Sequence, residues 1–447
     1  MTGCDGAGTS VAMDGMPYAL SCTLGVFCAI VVLVRLKVPL MAAILAGATA
    51  ICLLSGRGPL ATLKMLGLGA IHPTAIGLVV ITTLLLVLSG AMQAGGQMER
   101  IVSLARQFLR RPAVAMASLP ALIGLLPMPG GAVFSAPMVA SAAGGHEVEP
   151  ARMSAVNYWF RHIWEGWWPL YPGVLTAVGM VGGGIGEFAM YQAPITLLMV
   201  ASGLLIFRGS SRGLHATGAP PPRGTKRRLL WAASPIWIII LIWAPAAVLL
   251  RLAPRGIMPD DAWTALARFG PMSLGVLVAV IWTVRLNRLR WPAVRGVLAG
   301  RSIYVLGGIV LSVMVFKHVI TQSEFAGRIA AELKVMHVPL VLVVAALPYI
   351  AGLVTGLAVG FVGSSFPIVL PLIATLAGEE SIRPYVVLAY AFGHLGQMSS
   401  PLHVCYIVSN QYFKTPFRAV YRRLVPSLAV MAVLIVGYVL VLRLIVG

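Results

Sequence analysis

Charge is what this sequence is short of: 10% of its 447 residues are Asp, Glu, Lys or Arg, and 13 acidic residues face 33 basic ones. With 59% hydrophobic residues and a mean hydropathy of +0.91, the chain cannot cover itself with a water-compatible surface, which excludes an ordinary soluble globule. Cysteine is scarce as well. Cys4, Cys22, Cys28, Cys52 and Cys405 have neither paired nor metal-ligand spacing, so a disulfide or zinc framework is excluded and no metal is expected. No nucleotide-binding loop or zinc motif occurs, and no polar stretch is long enough for a separate catalytic domain. The basic surplus lies in short loops between apolar runs, with no stacking aromatics interleaved, which argues for membrane orientation and excludes nucleic acid as a partner. Asp5 and Asp14 precede the first basic residue, Arg35. The N-terminus therefore lacks the basic region of a secretory signal, and the first apolar run reads as a retained span.

What is present is a series of apolar runs near the roughly 20 residues that cross a bilayer as helix. Spans are predicted at about 18–34, 38–55 and 71–93, followed by an amphipathic segment, 99–111. The stretch 113–143 is interrupted by Leu-Pro-Met-Pro-Gly-Gly, so each arm is too short to cross, as in a re-entrant hairpin. A proline-broken span over 153–179 and a span over 188–207 complete a first half, 18–207, after an extracytoplasmic tail, 1–17. Residues 208–228 hold six basic and no acidic residues and read as a cytoplasmic linker. The second half, 229–447, has spans at about 229–250, 270–284 and 302–320, an amphipathic segment 322–334, a hairpin 338–376, a broken span 384–410 and a last span 425–446.

The two halves match in ordered blocks. LPALIGL at 119–125 matches LPYIAGL at 347–353, an offset of 228, and Ser135-Ala-Pro137 matches Ser365-Phe-Pro367, an offset of 230. FRHIWEGWWPLY at 160–171 matches FGHLGQMSSPLH at 392–403 without a gap, pairing His162 with His394 and Glu165 with Gln397. Each half crosses five times if its hairpin returns to its own side. An odd number inverts the second half relative to the first, the repeat topology of many secondary transporters. The predicted fold is an all-α polytopic protein of two inverted repeats, each with a re-entrant hairpin and a broken helix. With both termini extracytoplasmic, 22 basic residues fall inside and 10 outside, with Arg161 within the membrane, which accounts for all 33 and favours this orientation in the cell inner membrane.

Helices that end within a bilayer leave backbone groups that only protein, water or a ligand can satisfy, so the breaks mark a cavity. The candidate hairpin tips are Pro129-Gly130-Gly131 with Ser135, and Thr355, Gly363, Ser364 and Ser365. Glycine allows close approach and hydroxyls donate hydrogen bonds; the bland alternative is that small residues only permit tight packing. In the first broken span, Asn157 and Arg161 are substrate-binding candidates and His162 and Glu165 coupling candidates. On one helical face, Arg161 and Glu165 could equally form an internal ion pair. In the second, Gln397, Ser399 and Ser400 are binding candidates and His394 and His403 coupling candidates, although a histidine between helices is as often a structural donor. Trp167, Trp168 and Tyr171 either line a wall of the site or sit at the membrane interface, and the interface is the preferred reading.

The blocks LPMPGGAVFSAPMV, NYWFRHIWEGWWPLYPG and FGHLGQMSSPLHVC resemble a prokaryotic integral membrane family, number 401 among the domains of unknown function, over essentially the whole chain. That family is grouped with the ion transporter superfamily of divalent anion/sodium symporters, gluconate and citrate carriers and sodium/proton antiporters. The resemblance implies an elevator-type carrier assembled as a homodimer. The Ser-Asn-Thr signatures of the divalent anion symporters are absent from both tips, so it implies no particular substrate. The expectation is a secondary transporter of a small organic anion in the lipid bilayer, coupled to protons or to sodium, without a cofactor. A cation/proton antiporter is the alternative; an intramembrane enzyme using Ser135 or Ser365 is a remote one.

Overall fold

Proline sets where many of these helices begin: Pro59, Pro73, Pro112, Pro150, Pro172 and Pro194 each occupy a first helical position, where a missing N–H costs nothing. The structure, a computed structural model, describes residues 18–446 except 110, 127, 129–130, 144–147, 209–220, 255, 257, 324 and 378–381. The described residues are helical or lie in turns. In chain order come α1 (Tyr18–Arg35), α2 (Leu40–Leu54), α3 (Pro59–Ile71), α4 (Pro73–Ala94) and the amphipathic α5 (Gln97–Arg106). The first hairpin is α6 (Pro112–Ile123) and α7 (Ala132–Ala142), and the first broken span is α8 (Pro150–Arg161) and α9 (Pro172–Val181). Then α10 (Ile185–Gln192) and α11 (Pro194–Gly203) run into a 3-10 turn.

The second half resumes at α12 (Thr225–Ala232), which begins inside the stretch 208–228 read as linker and runs past its end, and α12 meets α13 (Ser234–Leu252) at a bend of 60°. It continues through α14 (Asp260–Leu286), α15 (Trp291–Leu298), α16 (Arg301–Gln322) and α17 (Phe325–Val335). The second hairpin is α18 (Leu340–Thr355) and α19 (Ala358–Leu376), the second broken span α20 (Ile382–Ser399) and α21 (Val404–Tyr412), and the last helix α22 (Phe417–Val446). Among the described residues, seven helical runs are long and apolar enough to cross a bilayer, or eight with the bent pair, making this a multi-pass membrane protein.

Both expected interruptions are present, but three details differ from the sequence reading. The short apolar helix α3 fills a stretch to which no span was given. The second hairpin turns at Gly356, in the left-handed conformation at φ +62°, and not at Gly363, Ser364 and Ser365, which lie inside α19. At 19 residues α19 is also long enough to cross, unlike α7 with 11.

Matched elements exchange neighbours, and one matched pair shares its length. Helices α4 and α16 are both 22 residues and begin 228 positions apart. Helix α2 packs on α16 while α14 packs on α4, and α9 packs on α19 while α21 packs on α7. The glycine of the repeated LP motif explains its own presence. A Cβ on Gly124 would stand 2.1 Å from the Arg161 carbonyl oxygen, and one on Gly352 2.2 Å from that of Gly393, so each hairpin arm lies backbone to backbone on its broken helix.

Candidate functional site

Helix α8 stops at Arg161, and the chain crosses ten residues of turns before Pro172 starts α9. Helix α20 stops at Ser399 and α21 starts at Val404. The two breaks face each other. Tyr158 Oη donates to the carbonyls of Gln397 (3.4 Å) and Met398 (3.1 Å), and Tyr390 Oη donates to that of Glu165 (3.1 Å). Tyr158 and Tyr390 are 232 positions apart, as are Glu165 and Gln397, so one bond is made twice with its partners exchanged. On this line of contact Gln397 Nε2 donates to Glu165 Oε2 at 2.7 Å.

A cavity of about 190 Å³ lies here, room for a small solute. Its wall takes Arg161, Glu165 and Tyr171 from the first break and Gln397, His403 and Cys405 from the second. Met128 beside the first hairpin turn and Leu357 in the second complete the set of four interrupted elements. Each turn rests on its own break through a glycine. A Cβ on Gly131 would meet the Arg161 guanidinium at 2.2 Å, and one on Gly356 would meet the His403 backbone nitrogen at 3.0 Å.

Arg161 is 1% exposed; one Nη donates to the Met128 carbonyl at 2.7 Å, and Nε has no hydrogen-bond partner. Among the described residues no ion pair joins it to a carboxylate, so the internal Arg161–Glu165 pair entertained from their spacing is not formed. The physical reason is the end of α8: Glu165 sits in the turns, not one helical turn above Arg161, and reaches across to Gln397. Its Oε1 is 3.9 Å from Nε2 of His162, whose Nδ1 bonds the Tyr158 carbonyl at 2.6 Å. His403 stacks edge-on against His162, with ring centroids 4.6 Å apart. Its Nδ1 accepts from the Cys405 N–H at 3.2 Å and its Nε2 stands 3.1 Å from Gln397 Nε2. His394 is buried beside Gln397, with neither ring nitrogen in a hydrogen bond of normal geometry.

The other candidates fall into two groups. Asn157 is buried behind the cavity, donating to Ser409 Oγ at 2.8 Å and to the Ala132 carbonyl at 3.4 Å, and so ties α8 to α21 and α7. The hydroxyls turn back on nearby backbone: Ser135 on Gly131 O, Thr355 on Ala351 O, Ser364 on Gly360 O, Ser365 on Phe361 O and Ser399 on Leu395 O. Ser400 Oγ accepts from the Leu402 N–H. Gly363 is a packing glycine, since a Cβ there would meet Val313 at 2.1 Å. Gly130 and Pro129 lie outside the described residues.

Of the two alternatives for Tyr171, wall of the site or membrane interface, the less favoured holds: it lines the cavity and its hydroxyl donates to the Gly124 carbonyl. Trp164 and Trp168 donate from their indoles to the first hairpin, at the Ala121 and Leu125 carbonyls. Sequence reasoning did not single out Tyr158, Tyr390, Met128 or Cys405; the constant offset pairing Tyr158 with Tyr390 was the available signal. His162, His403 and Cys405 bring three possible metal-ligand atoms within 4.8 Å of one another. A tetrahedral site needs about 3.6 Å between ligands, and His403 already spends its Nδ1 lone pair on the Cys405 N–H, so the trio as it stands does not fit a metal.

No curated protein matches the chain. Among solved structures it is similar to the YdaH transporter of Alcanivorax borkumensis, described as having an unusual topology, with a TM-score of 0.59 at 17% identity over 85% of this chain and 86% of that one. At that identity the likeness establishes a shared fold. Residues 19–253 and 267–445 match the family described as "Protein of unknown function (DUF401)", and the chain belongs to that family.

Proposed function

We propose that this protein is a secondary active transporter of a small organic anion, driven by a proton or sodium gradient, with the cavity between the two breaks as its solute site. Arg161 carries the reading. It is a buried guanidinium with an unbonded Nε and no paired carboxylate, on the wall of a cavity. An unpaired buried charge costs several kcal/mol, and an anion in the cavity offsets that cost. The unwound segments on either side supply backbone groups that a solute can bind.

The exchanged contacts of α2 with α16 and α4 with α14, and the reciprocal tyrosine bonds, support two inverted repeats of five crossings and a place in the ion transporter superfamily. In this reading both termini are extracytoplasmic. The shared fold with a transporter agrees with it. An intramembrane hydrolase is disfavoured, because Ser135 and Ser365 donate to helix carbonyls and not to an imidazole.

A thermal-shift panel of carboxylates, sugar acids, oxyanions and alkali cations on purified protein tests the assignment. At least one organic anion is expected to raise the Tm of the wild type and not that of Arg161→Ala. The second reading, a cation/proton antiporter, draws on Glu165 Oε1, which faces His162 only at 3.9 Å. Stabilisation by alkali cations alone, lost in Glu165→Gln, would favour that reading and overturn the first.

A further inference from the structure

The cap that His403 places on α21 selects one protonation pattern around Glu165. His403 caps α21, its Nδ1 accepting from the Cys405 N–H. A neutral imidazole has one donor and one acceptor nitrogen, so the ring proton belongs on Nε2; an imidazolium would turn a donor toward the Cys405 N–H. That Nε2 stands 3.1 Å from the Gln397 amide atom which is itself 2.7 Å from Glu165 Oε2. With nitrogen in that position His403 would have to accept at both ring nitrogens. A half-turn of the amide, which exchanges two atoms of nearly identical shape, puts oxygen there and gives the His403 N–H its acceptor, and it moves the amide nitrogen to the buried position where Oε1 has no hydrogen-bond partner. Two oxygens 2.7 Å apart then share a proton, and the carboxyl is the group that can carry it.

We infer that Glu165 is protonated in this conformation, donating to Gln397 Oε1, and that this proton is the coupling ion that loads together with the anion. The inference rests on the transport reading for its second half only. Around Glu165 stand Arg161, His162, Tyr158 and Tyr171 on one side and Tyr390, His394, His403 and Cys405 on the other. With Glu165 neutral, Arg161 is left without a counter-charge and the cavity suits a monoanion. When the proton leaves to cavity water, the carboxylate itself counters Arg161 and competes with the solute. The amide turns back, the His403 N–H loses its acceptor, and a tautomer change withdraws the cap from α21. Proton loss thereby couples to the geometry of the second break.

Infrared spectroscopy of the full-length protein in lipid nanodiscs at neutral pH tests this without any solute. The wild type is expected to show a carbonyl band of a protonated carboxylic acid that shifts in heavy water and is lost in the near-isosteric Glu165→Gln. Wild-type and variant spectra that coincide in that region, with carboxylate bands lost instead, would overturn the inference. Should Glu165→Gln not fold, nitrogen NMR of histidine-labelled wild type, assigned with His403→Gln, reads the same network. His403 is expected as the Nε2–H tautomer, and an Nδ1–H signal would overturn it. Neither readout involves transport, so failure here leaves the carrier reading standing, and failure of the carrier reading leaves the protonation intact.

Discussion

Two glycines beside Arg161 separate what holds the fold from what shapes the site. A Cβ at position 124 would strike the Arg161 carbonyl, which belongs to a helix end and cannot move away; a Cβ at position 131 would strike the guanidinium, the far end of a flexible side chain. Gly124→Ala is therefore expected to destabilise the protein by roughly 1–3 kcal/mol, as overpacking does, read as a lowered Tm. Gly131→Ala should leave Tm nearly unchanged yet weaken binding of any anion found by the thermal-shift panel, by displacing the guanidinium. Equal losses of Tm in the two would contradict the distinction. The ionisable candidates at the first break were legible because charge is so rare here that each instance needs a reason. Their partners were not: the sequence allowed an Arg161–Glu165 pair that the end of α8 prevents. Ser364 and Ser365, next to a glycine, looked like a hairpin tip, but hydroxyls bonded to carbonyls four residues back are as compatible with a helix interior.

Helix α9 starts at the cavity and ends under two cations from the other half. Lys317 Nζ on α16 donates to the carbonyls of Gly179 (3.0 Å) and Met180 (3.1 Å), and Arg268 on α14 donates to that of Gly182. Cations at a helix C-terminus satisfy its free carbonyls and oppose its dipole. Lys317→Met is expected to cost about 2 kcal/mol, seen as a fall in Tm that Lys317→Arg partly restores. At this scale the breaks were readable from proline and the first hairpin from its short arms, whereas α19 in the second is long enough to cross. Helix α3 escaped, because its 13 residues between Pro59 and His72 are too few for a span and its pattern carries no polar face. The turn at Gly356 escaped because its left-handed backbone leaves no mark beyond the glycine itself.

For the whole molecule, the duplicated blocks anticipated which segments correspond but not how they touch. That Tyr158 reaches the second break while Tyr390 reaches the first is a tertiary fact, set by how the halves interlock. If the halves are inverted, the termini share one side and the linker around Arg223 the other. Reporter fusions at both ends are expected to register as extracytoplasmic, and a thiol placed at position 223 to react only after the membrane is opened; termini on opposite sides would refute the inversion. The central claim, that the shared cavity binds and moves an anion through Arg161, meets its most direct test in counterflow of a radiolabelled organic anion into proteoliposomes. Removing one partner of a desolvated charge pair costs roughly 2–5 kcal/mol, so Arg161→Ala in folded protein should reduce flux about thirtyfold or more. Flux equal to that of the wild type would contradict the claim.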